Sequence, residues 1–126
     1  MKALKHDFEI TKEMKLPEPF KANWLRDLRS GKYGQCTGTL TDFSNNYCCL
    51  GVACKSVGYN DRWLTRNGGG SCGYIYKQST YLKYELKKVP NVLKRDSKNP
   101  VVAFLTDAND NYYTFKQIAN WIEKYL

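Results

Sequence analysis

Apolar side chains first repeat at helical spacing about twenty residues into the chain. Phe20, Trp24 and Leu28 are four positions apart, which places them on one face of a helix. Pro19 suits the first turn of such a helix, because its missing N–H is not needed there. Gly31 follows at the end, where glycine commonly terminates helices. The pattern predicts an amphipathic helix between these two residues.

The most apolar run is 47–54, which contains three of the five cysteines. Residues 48–57 have no polar face before Lys55, as is typical of a helix buried nearly all round. Gly51 inside this helix costs about 1 kcal/mol relative to alanine, so we expect another backbone to approach it closely. Gly58 is placed to end the helix. We expect the rest of the domain to assemble on this helix.

The last third of the chain predicts a pair of helices. Pro100 opens a short helix with apolar residues at 101, 102, 104 and 105, and residues 107–111 form a turn. Thr114 and Gln117 fit a capping box, in which each side chain satisfies a free backbone N–H of the next helix. Phe115, Ile118 and Ile122 follow at helical spacing.

The segments between these helices are shorter or more polar. Residues 35–41 are rich in β-branched side chains and 42–46 reads as a turn, so a short antiparallel hairpin is expected. Residues 59–73 read as a flexible glycine-rich loop, 73–77 as a second strand, 81–88 as a short helix and 91–99 as a loop. Residues 1–19 are interpreted as an N-terminal arm and 20–126 as one domain.

The predicted fold class is therefore α+β: a compact single domain with two to three core helices, a small antiparallel sheet or hairpin and a C-terminal helix pair. The predicted core comprises Trp24, Leu28, Leu50, Val57, Phe104, Ile118 and Ile122.

Charge and cysteine usage restrict the class of protein. The formal net charge of +8 permits contact with nucleic acid or another acidic partner. No apolar run approaches the length of about 20 residues that a membrane span requires. The charged N-terminal residues do not resemble an export signal, and five cysteines without one argue against a disulfide framework. These features predict a protein of the reducing cytoplasm that does not bind a membrane.

The cysteines leave three interpretations open. Cys48 or Cys49 at a helix N-terminus suits a nucleophilic thiolate, but the only histidine, His6, lies in the arm. Zinc is a second interpretation, although no C-x₂-C pair is present among the five cysteines. The favoured interpretation is that the thiols are buried core residues. No cofactor and no metal are expected.

Two further motifs lack residues that their chemistry requires. Asp107, Asn109 and Asn111 match the first ligands of a calcium loop, but Tyr112 and Ile118 replace the required glycine and glutamate. The glycine run at 68–70 lacks the lysine and hydroxyl residue that complete a phosphate-binding loop.

The strongest surface signal is a mixture of aromatic and basic residues. Lysine and arginine neutralise phosphates or carboxylates, while tyrosine and tryptophan stack on bases or anchor protein interfaces. A solvated basic face with half-buried tyrosines is the structural alternative. The candidate binding residues are Arg62, Trp63, Arg66, Tyr74, Tyr76, Lys77, Tyr81, Lys83, Tyr84, Lys87 and Lys88.

Several motifs also resemble a known group of proteins. The Tyr-Cys-Cys-Leu-Gly-Val-x-Cys stretch at 47–54, the Leu-x-Asp-x-Asn-Asp stretch at 105–110 and the final helix resemble small uncharacterised proteins of bacteriophages and prophages. The resemblance spans about residues 24–126 and transfers no catalytic residue. It implies a phage accessory protein that acts in the bacterial host cytoplasm.

The residues favour a non-enzymatic binding protein, and the resemblance implies that it interferes with a host or antiviral-defence component. It would bind an acidic protein surface or sequester an anionic, nucleotide-like ligand. The alternative is a nucleic-acid-binding protein that uses the 74–98 segment, and a third hypothesis is a cysteine- or zinc-dependent enzyme. The sequence assigns no oligomeric state.

Overall fold

The computed structural model describes residues 3–66, 70–73, 75, 86–95 and 99–126, with Arg66 described in its backbone only. Five α-helices and two short strands lie in these ranges. They are α1 (Phe20–Arg29), β1 (Gly34–Gln35), β2 (Asn46–Tyr47), α2 (Cys49–Ser56), α3 (Asp61–Arg66), α4 (Pro100–Asp110) and α5 (Phe115–Tyr125). Short 3-10 helices occupy Lys12–Met14 and Asn91–Leu93. The predicted α+β class is confirmed.

Helix α2 lies at the centre of the domain, packed against α1, α3 and α4. Residues 49–54 are all buried, which explains why this helix has no polar face. The indole Nε1 of Trp24 donates to the carbonyl oxygen of Cys49 at 3.0 Å and ties α1 to α2. A Cβ added to Gly51 would lie 2.0 Å from the carbonyl oxygen of Leu40, so the expected close backbone approach is confirmed.

A buried asparagine on α4 organises the polar contacts at the start of α2. Asn109 is fully buried, and its Oδ1 accepts from the backbone N–H of Cys49 at 3.1 Å and from Gln35 Nε2 at 3.0 Å. Its Nδ2 donates to the carbonyl oxygen of Cys36 at 2.8 Å. The residue that precedes α2, Cys48, makes no side-chain capping bond, and Asn109 satisfies one of the backbone N–H groups that have no partner within the helix.

The position of Asn109 corrects the predicted turn at 107–111. Helix α4 continues to Asp110, and the chain turns only at Asn111 and Tyr112, which has a positive φ of 67°. The polar residues that suggested a turn are helical because the Asn109 side chain finds its partners in the interior. Asp110 similarly accepts from the backbone N–H of Gly38 at 3.0 Å.

The predicted antiparallel hairpin is wrong for the described two-stranded sheet. Strands β1 and β2 are parallel, with Gly34 opposite Asn46 and Gln35 opposite Tyr47. The chain reverses twice between them, and the Asp42 carboxylate fixes the second reversal by accepting from the N–H of Ser44 at 2.8 Å. The antiparallel contact that remains here is a single bridge between Thr41 and Tyr47.

The predicted helix ends are confirmed at several positions. Helix α1 starts directly after Pro19, and Gly31 beyond its end has a φ of +75°. Gly58 follows α2 with a φ of +93°. The capping box before α5 is formed, since Thr114 Oγ1 accepts from the Gln117 N–H at 3.2 Å while Gln117 Oε1 accepts from the Thr114 N–H at 2.9 Å.

Five of the seven predicted core residues are fully or almost fully buried, whereas Val57 and Phe104 are only half-buried. Phe104 lies at the edge of the core because its ring faces the N-terminal arm. His6 and Phe8 of the arm contact this ring, with centroid distances of 6.2 and 5.6 Å.

The region read as loop at 59–73 contains helix α3. Asn60 precedes it and accepts from the Trp63 N–H through its side chain at 3.3 Å, which is the geometry of an N-terminal cap. The predicted strand at 73–77 and helix at 81–88 lie mostly outside the described residues, and the described end of that helix, Lys87–Lys88, forms a turn. Among the residues that the structure describes, no helix is long and apolar enough to cross a membrane.

Candidate functional site

The cysteines form part of the packed interior. Cys48, Cys49 and Cys54 are fully buried and Cys72 nearly so, while Cys36 is half-buried. Burial raises the pKa of Cys54 to about 12 and that of Cys36 to about 11. A hydrogen bond to Cys48, together with burial, raises the pKa of Cys72.

These shifts oppose the thiolate that nucleophilic catalysis and metal binding require. Cys49, at the N-terminus of α2, is fully buried, and burial raises the pKa of its thiol well above the ordinary value despite the helix dipole. Its Sγ lies 3.6 Å from the carbonyl oxygen of Leu105, to which it donates. His6 contacts Trp121 in the arm region, where its Nδ1 accepts from the indole Nε1 at 3.1 Å. Within the described ranges, no group of histidine, cysteine and acidic side chains is arranged to hold a metal ion.

The described part of the predicted binding face consists of α3 and the turn at 87–88. Arg62, Lys87 and Lys88 are exposed and Trp63 is half-buried. Tyr59 joins the two elements, because its hydroxyl accepts from the backbone N–H of Lys88 at 3.1 Å. We call these five residues the α3 surface.

Aromatic contacts hold the α3 surface together. The Tyr59 and Trp63 ring centroids are 5.8 Å apart, and the ammonium of Lys88 lies 6.0 Å from the Tyr59 ring centroid. That distance is at the outer limit of a cation–π contact. Sequence reasoning missed Tyr59, although it directly follows the glycine that ends α2. The structure therefore brings Trp63 and Lys88 together around Tyr59, and Arg62 is exposed on the same short helix as Trp63.

A partly buried ion pair anchors the first residue of α3. Asp61 accepts from the Tyr47 hydroxyl at 2.8 Å, and the ammonium of Lys55 lies 3.1 Å from the same carboxylate oxygen. Burial and the hydrogen bond to Asp61 raise the pKa of Tyr47 to about 12. The one acidic residue of α3 is therefore engaged with Tyr47 and Lys55, whereas Arg62 next to it is exposed.

The remaining candidate binding residues lie outside the described part of the chain. They are Tyr74, Tyr76, Lys77, Tyr81, Lys83 and Tyr84, together with the side chain of Arg66. Of the predicted 74–98 face, the structure describes residues 75 and 86–95, which include the exposed Lys87 and Lys88.

Comparison with known proteins identifies a family. Residues 16–126 match the family described as Domain of unknown function (DUF8296), and the chain belongs to it. No match was found among the curated proteins or the solved structures.

Proposed function

We propose that this member of the DUF8296 family is a phage-encoded, non-enzymatic binding protein that interferes with a host or antiviral-defence component. The α3 surface would occupy an acidic patch on the target protein in the bacterial cytoplasm. The phage origin and the cytoplasmic site of action rest on the motif resemblance and the composition of the chain.

The observation that carries the proposal is that three exposed cations lie on two elements that an aromatic residue joins. Arg62, Lys87 and Lys88 come from two separate elements that Tyr59 links through its hydroxyl. Arginine, tyrosine and tryptophan are enriched in the residues that dominate protein–protein binding energy. Cations at the rim accelerate encounter with an acidic partner. The raised thiol pKa values argue against the alternative of a cysteine-dependent enzyme.

Photo-crosslinking in bacterial cells tests the proposed surface. A benzophenone amino acid replaces Arg62 in one variant and Lys116, an exposed residue of α5, in the control. We expect position 62 to crosslink one host protein that position 116 does not crosslink. Replacing Lys87 and Lys88 with glutamate should abolish that product. A product that survives the double replacement, or that appears from both positions, would refute the proposal.

Binding of anionic probes at increasing salt concentration tests the alternative that this surface binds nucleic acid or a nucleotide. A nucleic-acid-binding protein that contacts several phosphates loses affinity steeply as salt rises. Fluorescent oligothymidylate and ATP serve as probes for the purified full-length chain. Tight binding of either probe, lost in the Lys87→Glu, Lys88→Glu variant, would replace the acidic protein patch with nucleic acid or an anionic nucleotide as the ligand of this surface.

A further inference from the structure

The N-terminal arm lies on α4 and α5 as an extended strand-like segment. Its exposure alternates along the chain: the even-numbered residues from Leu4 to Ile10 are half-buried and the odd-numbered ones from Ala3 to Glu9 are exposed. This period of two is that of an extended peptide with one face against a surface. The arm therefore presents alternate side chains to the two helices.

An aromatic face on α4 and α5 receives the arm. We call Phe104, Trp121 and Tyr125 the aromatic face. His6 lies 5.4 Å from Trp121 and 4.5 Å from Tyr125 between ring centroids, and Phe8 lies 5.6 Å from Phe104. The Trp121 indole N–H donates to His6 at 3.1 Å.

Side chains alone hold residues 3–10 within the described part of the chain. The first backbone hydrogen bond that connects the N-terminal segment to the domain there runs from the Leu16 N–H to the Leu126 carbonyl oxygen, at 2.9 Å. An extended segment without such backbone bonds separates from its surface without disrupting the helices beneath it. The arm is thus a cover held by side-chain contacts and not part of the hydrogen-bonded core.

The aromatic face extends beyond the area that the arm covers. Two open cavities of about 670 and 280 Å³ lie beside Ala3 and Leu4, the first bordered by Phe104 and the second by Trp121 and Tyr125. Because Ala3 and Leu4 leave these cavities open, bulkier side chains in their place would make further contacts. A second copy of the same arm would bring the same small residues.

The family match includes the aromatic face but not the segment that covers it. Residues 16–126 belong to the DUF8296 region, which includes Phe104, Trp121 and Tyr125, whereas residues 3–10 of the arm, which cover these side chains, precede it. The aromatic face is therefore part of the family domain and the segment that covers it is not.

We propose that the aromatic face is a docking groove for an extended segment of a partner protein, and that the arm occupies this groove until the partner displaces it. The partner segment would carry aromatic or large aliphatic side chains at alternate positions, with a hydrogen-bond acceptor opposite the Trp121 indole. This groove is distinct from the α3 surface and uses apolar rather than ionic contacts. Two surfaces would allow one small domain to join two partners.

Peptide binding to the full-length chain tests the docking groove. The probe is a synthetic peptide with the sequence of residues 3–10, and a second probe carries tryptophan in place of the leucine that corresponds to Leu4. The Phe8→Ala variant weakens the arm, and Glu9→Ala, which alters an exposed neighbour, is the matched control. Because affinity scales with the fraction of open groove, we expect Phe8→Ala to bind the first probe at least about tenfold more tightly than wild type or Glu9→Ala. The tryptophan probe should bind more tightly than the first.

Variants of the face establish where the peptide binds. Phe104→Ala added to Phe8→Ala should abolish binding, and Trp121→Phe, which keeps an aromatic ring but removes the indole donor, should weaken it in a folded protein. Equal affinity of the wild-type and Phe8→Ala chains would overturn the proposal. So would binding that is unchanged by both face variants. A Phe8-dependent dimer in light scattering, without peptide binding, would assign the groove to a second copy instead.

Discussion

Replacing Asn109 with alanine tests whether this buried side chain supplies the missing cap of α2. The change removes three hydrogen bonds: two accepted by Oδ1 and one donated by Nδ2. The Gln35 amide is exposed and also donates to the Tyr113 carbonyl at 2.7 Å, so its loss costs little. The Cys49 N–H is buried and the Cys36 carbonyl is partly buried.

The expected loss in the free energy of unfolding follows from these two backbone groups. A buried polar group without a partner costs about 1–3 kcal/mol, and a partly buried one falls at the low end of that range. The expected loss is therefore about 3 kcal/mol of the free energy of unfolding. That is a large fraction of the roughly 5–15 kcal/mol that stabilises a typical domain.

Urea denaturation under reducing conditions, followed by tryptophan fluorescence, measures this loss. Trp24 is a suitable reporter because its indole donates to the carbonyl of Cys49, the same residue whose N–H Asn109 caps. Asn120→Ala is the matched control, since Asn120 is exposed on α5 and accepts from Arg29 Nη2 at 3.0 Å. We expect the control to cost less than about 0.5 kcal/mol.

The dependence on urea concentration decides the interpretation. The slope of the free energy of unfolding against urea concentration should be the same in the variant and the wild type, while the urea concentration at the midpoint falls. A changed slope would indicate an altered native or denatured state. If Asn109→Ala costs no more than Asn120→Ala at constant slope, the capping role is refuted. An Asn109→Asp variant keeps the acceptor but loses the donor to Cys36 and buries a charge, so it should also be destabilised.

Two other perturbations have expected outcomes. Gly51→Ala should lower the free energy of unfolding by at least about 2 kcal/mol, because the new Cβ would meet the Leu40 carbonyl. Gly58 has open space around it, so Gly58→Ala should cost only about 1 kcal/mol, because of the positive φ at this position. Equal urea midpoints for the two variants would contradict this. The Cys54 thiol keeps its proton in the native state up to a pKa of about 12, while the unfolded chain releases it near pH 9.0. Stability should therefore fall above pH 9, by up to about 1.4 kcal/mol per pH unit for this thiol, and not below it. Urea midpoints at pH 8, 9 and 10 should show a smaller decline in Cys54→Ala, and an identical decline would exclude this contribution.

Local signals in the sequence determined the main helices and most of their ends. Apolar spacing placed α1 and α5, and an unbroken apolar run placed α2. Proline, glycine and the Thr114–Gln117 pair act through the backbone of their own segment, so their effect is visible without tertiary structure. The close approach at Gly51 was also predictable, since glycine within a helix is costly unless something requires it.

Tertiary structure decided the features that depend on distant partners. The turn expected at 107–111 became helix because Asn109 bonds to residues 35, 36 and 49, more than fifty positions away. The pairing of β1 with β2 depends on two chain reversals and not on the side-chain pattern of either strand. Helix α3 is only six residues long, too short for apolar periodicity to identify.

The same distinction applies to the candidate surfaces. Composition alone identified Arg62, Trp63, Lys87 and Lys88 as candidates, because residue type is a local property. Their assembly around Tyr59 and the docking of the arm on Trp121 are contacts between segments distant in sequence. The sequence determined which side chains are available, whereas the packing of the helices decided which of them share a face.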